Sequence, residues 1–185
     1  MSGSLRISTV GVRGVVGPGL KAQHALEFAA AFSVLLDRPE PVILARDPRA
    51  SSEMLREGVV ASLLASGRDV VDLGLVPTPV LQHAIRHTNA AGGISIGASH
   101  NSAEWNALKF FGPQGTYLSS GEASELLDIY HLRKFRFQDW TAVGHLRFDD
   151  EAIERYIEEL ERVFDLSALA GLHIVADCSS GLSSL

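Results

Sequence analysis

Val42-Ile43-Leu44-Ala45-Arg46-Asp47-Pro48-Arg49-Ala50-Ser51-Ser52 carries three signals in one short stretch. Residues 42–45 are an unbroken apolar run, as expected of a strand buried on both faces. Residues 46–49 form a polar turn directly after it. Ser51 or Ser52 can cap a helix that runs to about residue 66. Leu55, Val59 and Leu63 recur there at i, i+4 and i+8, with Val60 and Leu64 beside them. Gly67 ends that helix. A doubly buried strand that passes at once into an amphipathic helix is one step of an α/β fold.

The same alternation continues outward. Upstream, residues 5–9 are short and extended, residues 11–19 are glycine-rich, and residues 21–37 are an Ala-rich helix stopped by Pro39 and Pro41. The glycines of residues 11–19 suit a loop folded around something. Downstream, residues 69–73 read as a strand, 74–79 as a turn and 79–87 as a helix. Residues 92–97 are a strand of small residues with an exit loop at 98–101. Residues 106–111 are a further strand, 112–115 a turn, and 120–130 a helix capped by Ser119 or Ser120. Residues 131–144 connect. Residues 149–164 form a strongly acidic helix with Ile153, Tyr156, Ile157 and Leu160 on one face, and residues 172–177 read as a strand. The succession predicts a three-layer α/β sandwich around a mostly parallel mixed sheet. A strand at 172–177 needs neighbours on both sides, so the beginning of a second α/β domain is expected there. The expected division is residues 1–148 and 149–185.

Composition narrows the classes. With 46% apolar and 21% charged residues over 185 positions, the chain is globular. One cysteine, Cys178, excludes a disulfide framework and a multi-cysteine metal site. No apolar run reaches the ~18–20 residues of a membrane span. The N-terminus has no secretory h-region, so a cytoplasmic protein without a membrane partner is expected. A net charge of −6 argues against nucleic acid as a general partner. The charge is uneven: residues 1–112 hold 10 Lys/Arg and 9 Asp/Glu, a net of +1, whereas residues 113–185 hold 6 and 13, a net of −7. An anion-binding surface is therefore expected in the first part.

In open α/β sheets, ligands gather at the carboxyl ends of the strands. Three loops would emerge there: residues 11–19 with Arg13, residues 46–49, and residues 98–101. Together they offer arginines, backbone N–H groups, a hydroxyl and an imidazole, a set suited to a phosphorylated ligand. Ser99 is the sharpest candidate, because Gly97 and Ala98 before it allow close approach. Its hydroxyl needs a base, a metal or a cation to become a nucleophile, and His100 and Lys109 are at hand. The rival reading makes Ser99 and Asn101 turn residues bonded to their own backbone. His83 and His87 stand at i, i+4 on a helix, but no third metal ligand is evident beside them.

Gly93-Ile94-Ser95-Ile96-Gly97-Ala98-Ser99-His100-Asn101 resembles the active-site serine loop of the α-D-phosphohexomutases, the family of phosphoglucomutases, phosphomannomutases and phosphoglucosamine mutases. That loop reads T-A-S-H-N-P and is followed by N-G-x-K. Here Gly97 replaces the Thr, Ser102 the Pro, and Ala107 the Gly of Asn106-Ala107-Leu108-Lys109. Three more stretches match in order. Ser8-Thr9-Val10-Gly11-Val12-Arg13-Gly14 is similar to G-T-D-G-I-R-G, with Val10 in place of the acidic residue. Ala45-Arg46-Asp47-Pro48-Arg49-Ala50-Ser51-Ser52 is similar to G-R-D-T-R-x-S-S. Gly74-Leu75-Val76-Pro77-Thr78-Pro79 matches G-x-x-P-T-P.

The resemblance implies a four-domain enzyme of which this chain covers the first domain and a short start of the second. It implies that Ser99 is a phosphoserine that exchanges its phosphoryl group with a hexose 1- or 6-phosphate through a hexose bisphosphate. Lys109 would move the proton at the sugar hydroxyl, His100 would orient the serine, and Arg13 would contact the transferring group. Asn101, Arg46 and Arg49 would bind phosphate, although Arg46-Asp47 is also readable as a structural ion pair. Mg²⁺ would bind the Ser99 phosphate and the aspartates of a D-G-D-x-D-R loop, which this chain lacks. The chain alone is then expected to be inactive, and a monomer or a homodimer is compatible with the family. The alternative is a non-catalytic phosphosugar-binding or regulatory module.

Overall fold

The computed structural model describes residues 5–169, 171–178, 181 and 182. The chain begins with a β-hairpin, β1 (Arg6–Ser8) and β2 (Gly11–Val15). Then come α1 (Ala22–Leu35), β3 (Val42–Arg46), α2 (Ala50–Ala65), β4 (Val70–Leu75), α3 (Thr78–His87) and β5 (Gly92–Ile96). Next are β6 (Trp105–Phe111), α4 (Ser120–His131), β7 (Leu146–Phe148) and α5 (Ala152–Val163). The strands form one sheet in the order β1-β2-β6-β5-β3-β4-β7.

The α/β sandwich is as the sequence predicts, but the sheet is more mixed. β5, β3, β4 and β7 run parallel to their neighbours, whereas β1, β2, β6 and β5 are joined by antiparallel pairings. The glycine-rich stretch accounts for the difference. Instead of looping around a ligand, its first part is β2, paired along its length with β6 from Gly11↔Lys109 to Val15↔Trp105. A Cβ at Gly11 would meet the Leu108 carbonyl oxygen at 2.0 Å, and φ there is +142°. That glycine serves close strand approach.

Period-two alternation divides the sheet between two helix layers. On β3, Val42 and Leu44 join a core with Phe28 and Phe32 of α1 and Leu55, Val59 and Leu63 of α2. Ile43 and Ala45 point the other way, into a core with Val80, Leu81 and Ile85 of α3. Ile153 and Tyr156 of α5 pack against that second core. α4 covers the first through Ala123, Leu126 and Ile129. Ser119 caps α4: its hydroxyl accepts from the Glu122 N–H, and the Glu122 carboxylate accepts from the Ser119 N–H.

Two expectations need correction. The connector at residues 131–144 leads into a strand not foreseen, β7, which extends the parallel edge beside β4. Three residues alternating toward solvent carry too little pattern to be read as a strand. Conversely, residues 172–177 form no strand, and Ile174 and Val175 are exposed. Among the described residues no neighbouring strand takes their backbone hydrogen bonds, and an extended run without one is not stable. No helix among the described residues is long and apolar enough to cross a membrane.

α2 is pinned to the sheet by a buried ion pair. Arg56 Nε donates to Asp72 of β4, whose carboxylate also accepts the Gly74 N–H at 2.8 Å. The side chains are 10% and 1% exposed. Removing Arg56 strands the Asp72 carboxylate in the interior, whereas Arg56 without Asp72 would still face Glu53 and Glu57. Arg56→Ala is expected to destabilise the fold by about 3–5 kcal/mol, read as a lower midpoint in urea unfolding. A loss below about 1 kcal/mol would show that the pair is not what holds α2 to β4.

Candidate active site

Two clefts meet at the carboxyl ends of β3 and β5. One, of about 610 Å³, is lined by Asp47, Arg49, Thr78, Ser95, Ser99 and Lys109, among others. The other, of about 160 Å³, is lined by Arg13, His100, Asn101, Ser99 and Lys109, among others. Gly97, Ser99 and Lys109 form the wall common to both.

Alternation decides which side chains reach this place. Arg46 is the last residue of β3, and Asp47 follows it. Arg46 turns toward α2 and pairs with Glu53 at 2.6 Å. Asp47 lines the larger cleft, and its carboxylate also reaches Ser52 in the first turn of α2. The expected Arg46–Asp47 pair does not form, and Arg46 lines neither cleft. Lys109 stands on β6 directly opposite Ser95 of β5, on the α3 face. Ser95 Oγ is 3.3 Å from Thr78 Oγ at the start of α3.

The serine loop is held by Asp47. Its Oδ1 accepts from the Ser52 hydroxyl at 2.6 Å and the Arg49 N–H at 3.2 Å. Its Oδ2 accepts from Arg49 Nε at 2.9 Å and the Ala98 N–H at 3.3 Å. Ser52 in turn accepts from Asn106 of β6 at 2.9 Å. A Cβ on Gly97 would stand 2.7 Å from Asp47 Oδ2, so glycine here admits the carboxylate. Asn101 closes the turn: its N–H and its side-chain amide both donate to the Ala98 carbonyl, at 3.1 and 2.8 Å. The local-turn reading therefore holds for Asn101, whose amide nitrogen is spent on the loop.

Ser99 differs. The residue is exposed, and its Oγ lies 3.4 Å from Nδ1 of the His100 ring, the one side-chain hydrogen-bond partner found for it among the described residues. Its φ is +55°, a left-handed conformation uncommon for residues other than glycine. Lys109 is half-buried, and no ion pair of its ammonium is found among the described residues. Burial pushes its pKa below the ordinary lysine value, and the Asp47 carboxylate offsets part of that. Arg13, exposed on β2 opposite Ala107, lies on the same face of the sheet as Lys109. The arrangement presents an exposed hydroxyl, an ammonium without an ion pair among the described residues, and a guanidinium to one anion.

The structure thus brings together Ser99, His100, Asn101, Lys109, Arg13 and Arg49, and excludes Arg46. Sequence reasoning missed Asp47 as an organiser, and Ser52 and Asn106 behind it. The available signal was an aspartate between a strand and a helix start, a position that favours side-chain acceptance of local N–H groups. His83 and His87 stack at 3.8 Å on α3 against Tyr156. Among the described residues, no group of three or more His, Cys, Asp or Glu could hold a metal.

Residues 5–137 match the family model of phosphoglucomutase/phosphomannomutase, alpha/beta/alpha domain I. The chain is 37% identical over 183 residues to a phosphoglucomutase/phosphomannomutase of Thermococcus kodakarensis, covering 96% of this chain and 40% of that protein. It is 37% identical to a phosphoglucosamine mutase of Gloeothece citriformis, covering 94% of this chain and 37% of the relative. The solved structure of a putative phosphomannomutase from Thermus thermophilus superposes with a TM-score of 0.79 at 30% identity, over 95% of this chain and 39% of that one. The chain belongs to the phosphoglucomutase/phosphomannomutase family, and it spans about two fifths of the length of these relatives.

Lys109 should trade stability for placement. A lysine whose pKa is lower folded than unfolded binds fewer protons in the folded state between those two values. Its burial cost is fully present below the folded value and is relieved as pH rises through that window. Lys109→Met is therefore expected to raise the urea midpoint at neutral pH and to flatten the gain in stability that the wild type shows on alkalinisation. A lower midpoint for the variant would show that the ammonium is stabilised where it stands.

Proposed function

We propose that this chain carries the phosphoryl-bearing serine of an enzyme interconverting a hexose 1-phosphate and a hexose 6-phosphate through a bisphosphorylated sugar. The observation that supports it most is the exposed Ser99 hydroxyl on the wall shared by two clefts, beside a half-buried lysine with no ion pair among the described residues. Under this reading, residues 1–148 form the serine-bearing domain and residues 149–185 lead into a second one. The enzyme would act in the cytoplasm on a free phosphosugar.

In the first transfer, the bond from phosphorus to Ser99 Oγ breaks while a bond to a sugar hydroxyl oxygen forms. The sugar hydroxyl gives up its proton, and the released serine oxygen takes one. Lys109 is suited to the first of these proton movements, because burial enlarges its neutral fraction. In its charged form it offsets charge on the transferring group. In the second transfer the sugar, turned around in the cleft, returns its other phosphoryl group to Ser99. Arg13 would contact the phosphoryl oxygens, and His100 would hold the serine oxygen in line. A magnesium ion would neutralise charge on the transferred group. The described residues do not fit a complete site for it, since no acidic cluster is present and phosphorylated Ser99 would be the one ligand offered.

Intact-mass measurement on the complete product of the gene tests the proposal. One phosphate is expected on the wild type and none on Ser99→Ala, with mutase activity lower in the variant by on the order of 10³-fold or more. Absence of phosphate on Ser99 together with tight phosphosugar binding would favour a phosphosugar-binding module without turnover. The 185-residue chain by itself is expected to stay far below ordinary turnover of ~1–10³ s⁻¹ in a coupled assay with Mg²⁺, hexose 1-phosphate and its bisphosphate.

A further inference from the structure

Arg49 reaches the cleft, yet its guanidinium is already engaged. Nε donates to Asp47 Oδ2 at 2.9 Å. Nη1 donates to the Ser102 carbonyl at 2.7 Å. Nη2 donates to the carbonyls of Asn101 at 2.7 Å and Ser99 at 3.0 Å. A guanidinium has five N–H donors, and these four bonds leave one. A bidentate grip on phosphate needs two side by side. The arginine side chain is 14% exposed and that of Asp47 18%, so solvent screens this pair less than a surface pair.

The three carbonyls belong to the loop that carries the nucleophile. Ser99 holds a left-handed φ of +55°, a conformation that costs about 1 kcal/mol or more in a residue with a side chain. Turning the chain this way aims the carbonyls of Ser99, Asn101 and Ser102 at one point, where their partial negative charges oppose each other. A planar cation at that point relieves the opposition and fixes all three directions at once. Asp47 fixes the cation in turn, and its second donor from the loop, the Ala98 N–H, ties in the residue just before the serine.

We propose that Arg49 is a positioning residue, which holds the Ser99 loop in its strained shape through three backbone carbonyls and does not bind the phosphate. The inference rests on the reading of Ser99 as the phosphoryl carrier. It makes charge alone insufficient. Lysine would bring a point cation with three donors on a flexible stem, and it cannot span three carbonyls and a carboxylate in one plane.

Arg49→Lys and Arg49→Ala in the complete gene product test this, with kcat, KM, intact mass and amide hydrogen exchange over residues 97–102 as readouts. Both variants are expected to lower kcat about 10- to 100-fold, as misplacement of a reacting group does. KM for the hexose phosphate should stay within about threefold. Exchange across the loop should quicken at least about tenfold in both, while strands β3 and β5 keep wild-type protection. Methylguanidinium added to Arg49→Ala should restore part of kcat and slow the loop exchange again. The proposal is overturned if Arg49→Lys keeps half or more of the activity. It is equally overturned if KM rises with kcat unchanged, or if loop exchange stays at the wild-type rate. A wild type without phosphate on Ser99 would sink the phosphoryl-carrier reading, and the exchange rates would still decide whether Arg49 holds the loop.

Discussion

A single carboxylate organises the functional end of this domain. Asp47 accepts hydrogen bonds from Ser52 in the first turn of α2, from the arginine two positions on, and from the backbone just ahead of the serine. It therefore ties β3, α2 and the β5 exit loop into one unit. Each of those elements is secured elsewhere by ordinary apolar packing. The loop between them has little apolar surface of its own, so its shape depends on this polar contact. Glycine at position 97 is part of the same constraint, since a side chain there would occupy the space the carboxylate needs.

The site also shows how a sheet sorts charge. Arg46 at the end of β3 spends its charge on Glu53 and becomes part of the scaffold, whereas Asp47 just after it lines the cleft. Lys109 reaches the cleft by strand alternation from the antiparallel side of the sheet. Its burial without an ion pair among the described residues works against the fold, and such a residue is what a site needs when the compensating charge arrives with the ligand. Arg13 joins from a strand that glycines allow to approach closely.

Much of this was legible in the residues. The strand-turn-helix at residues 42–66, the Ser119 cap of α4 and the exit loop carrying Ser99 follow from periodicity and turn chemistry, and four ordered motifs carried the family resemblance; the Ser51 or Ser52 cap expected for α2 does not form, because the helix already starts at Ala50 with Arg49 as its N-cap. Less legible were the parts that depend on partners distant in the chain. β2 looks like a loop because its glycines serve strand packing as well as turns. β7 is too short to show alternation. Residues 172–177 have a strand's composition, yet no described strand lies beside them. Arg49 looks like a phosphate ligand until the carbonyls that surround it are seen.

Local composition determined most of the helices and the buried strands at residues 42–46 and 92–96, that the layers alternate, and that a serine with small neighbours stands after the end of a buried strand. These are effects of range a few residues, set by backbone sterics and side-chain period. Tertiary structure alone decided that half the sheet is antiparallel, that Arg46 leaves the site, and that Asp47 and Arg49 brace the serine. Strand pairing and hydrogen bonds across about fifty positions of chain depend on which surfaces meet in space, and spacing along the sequence does not encode that.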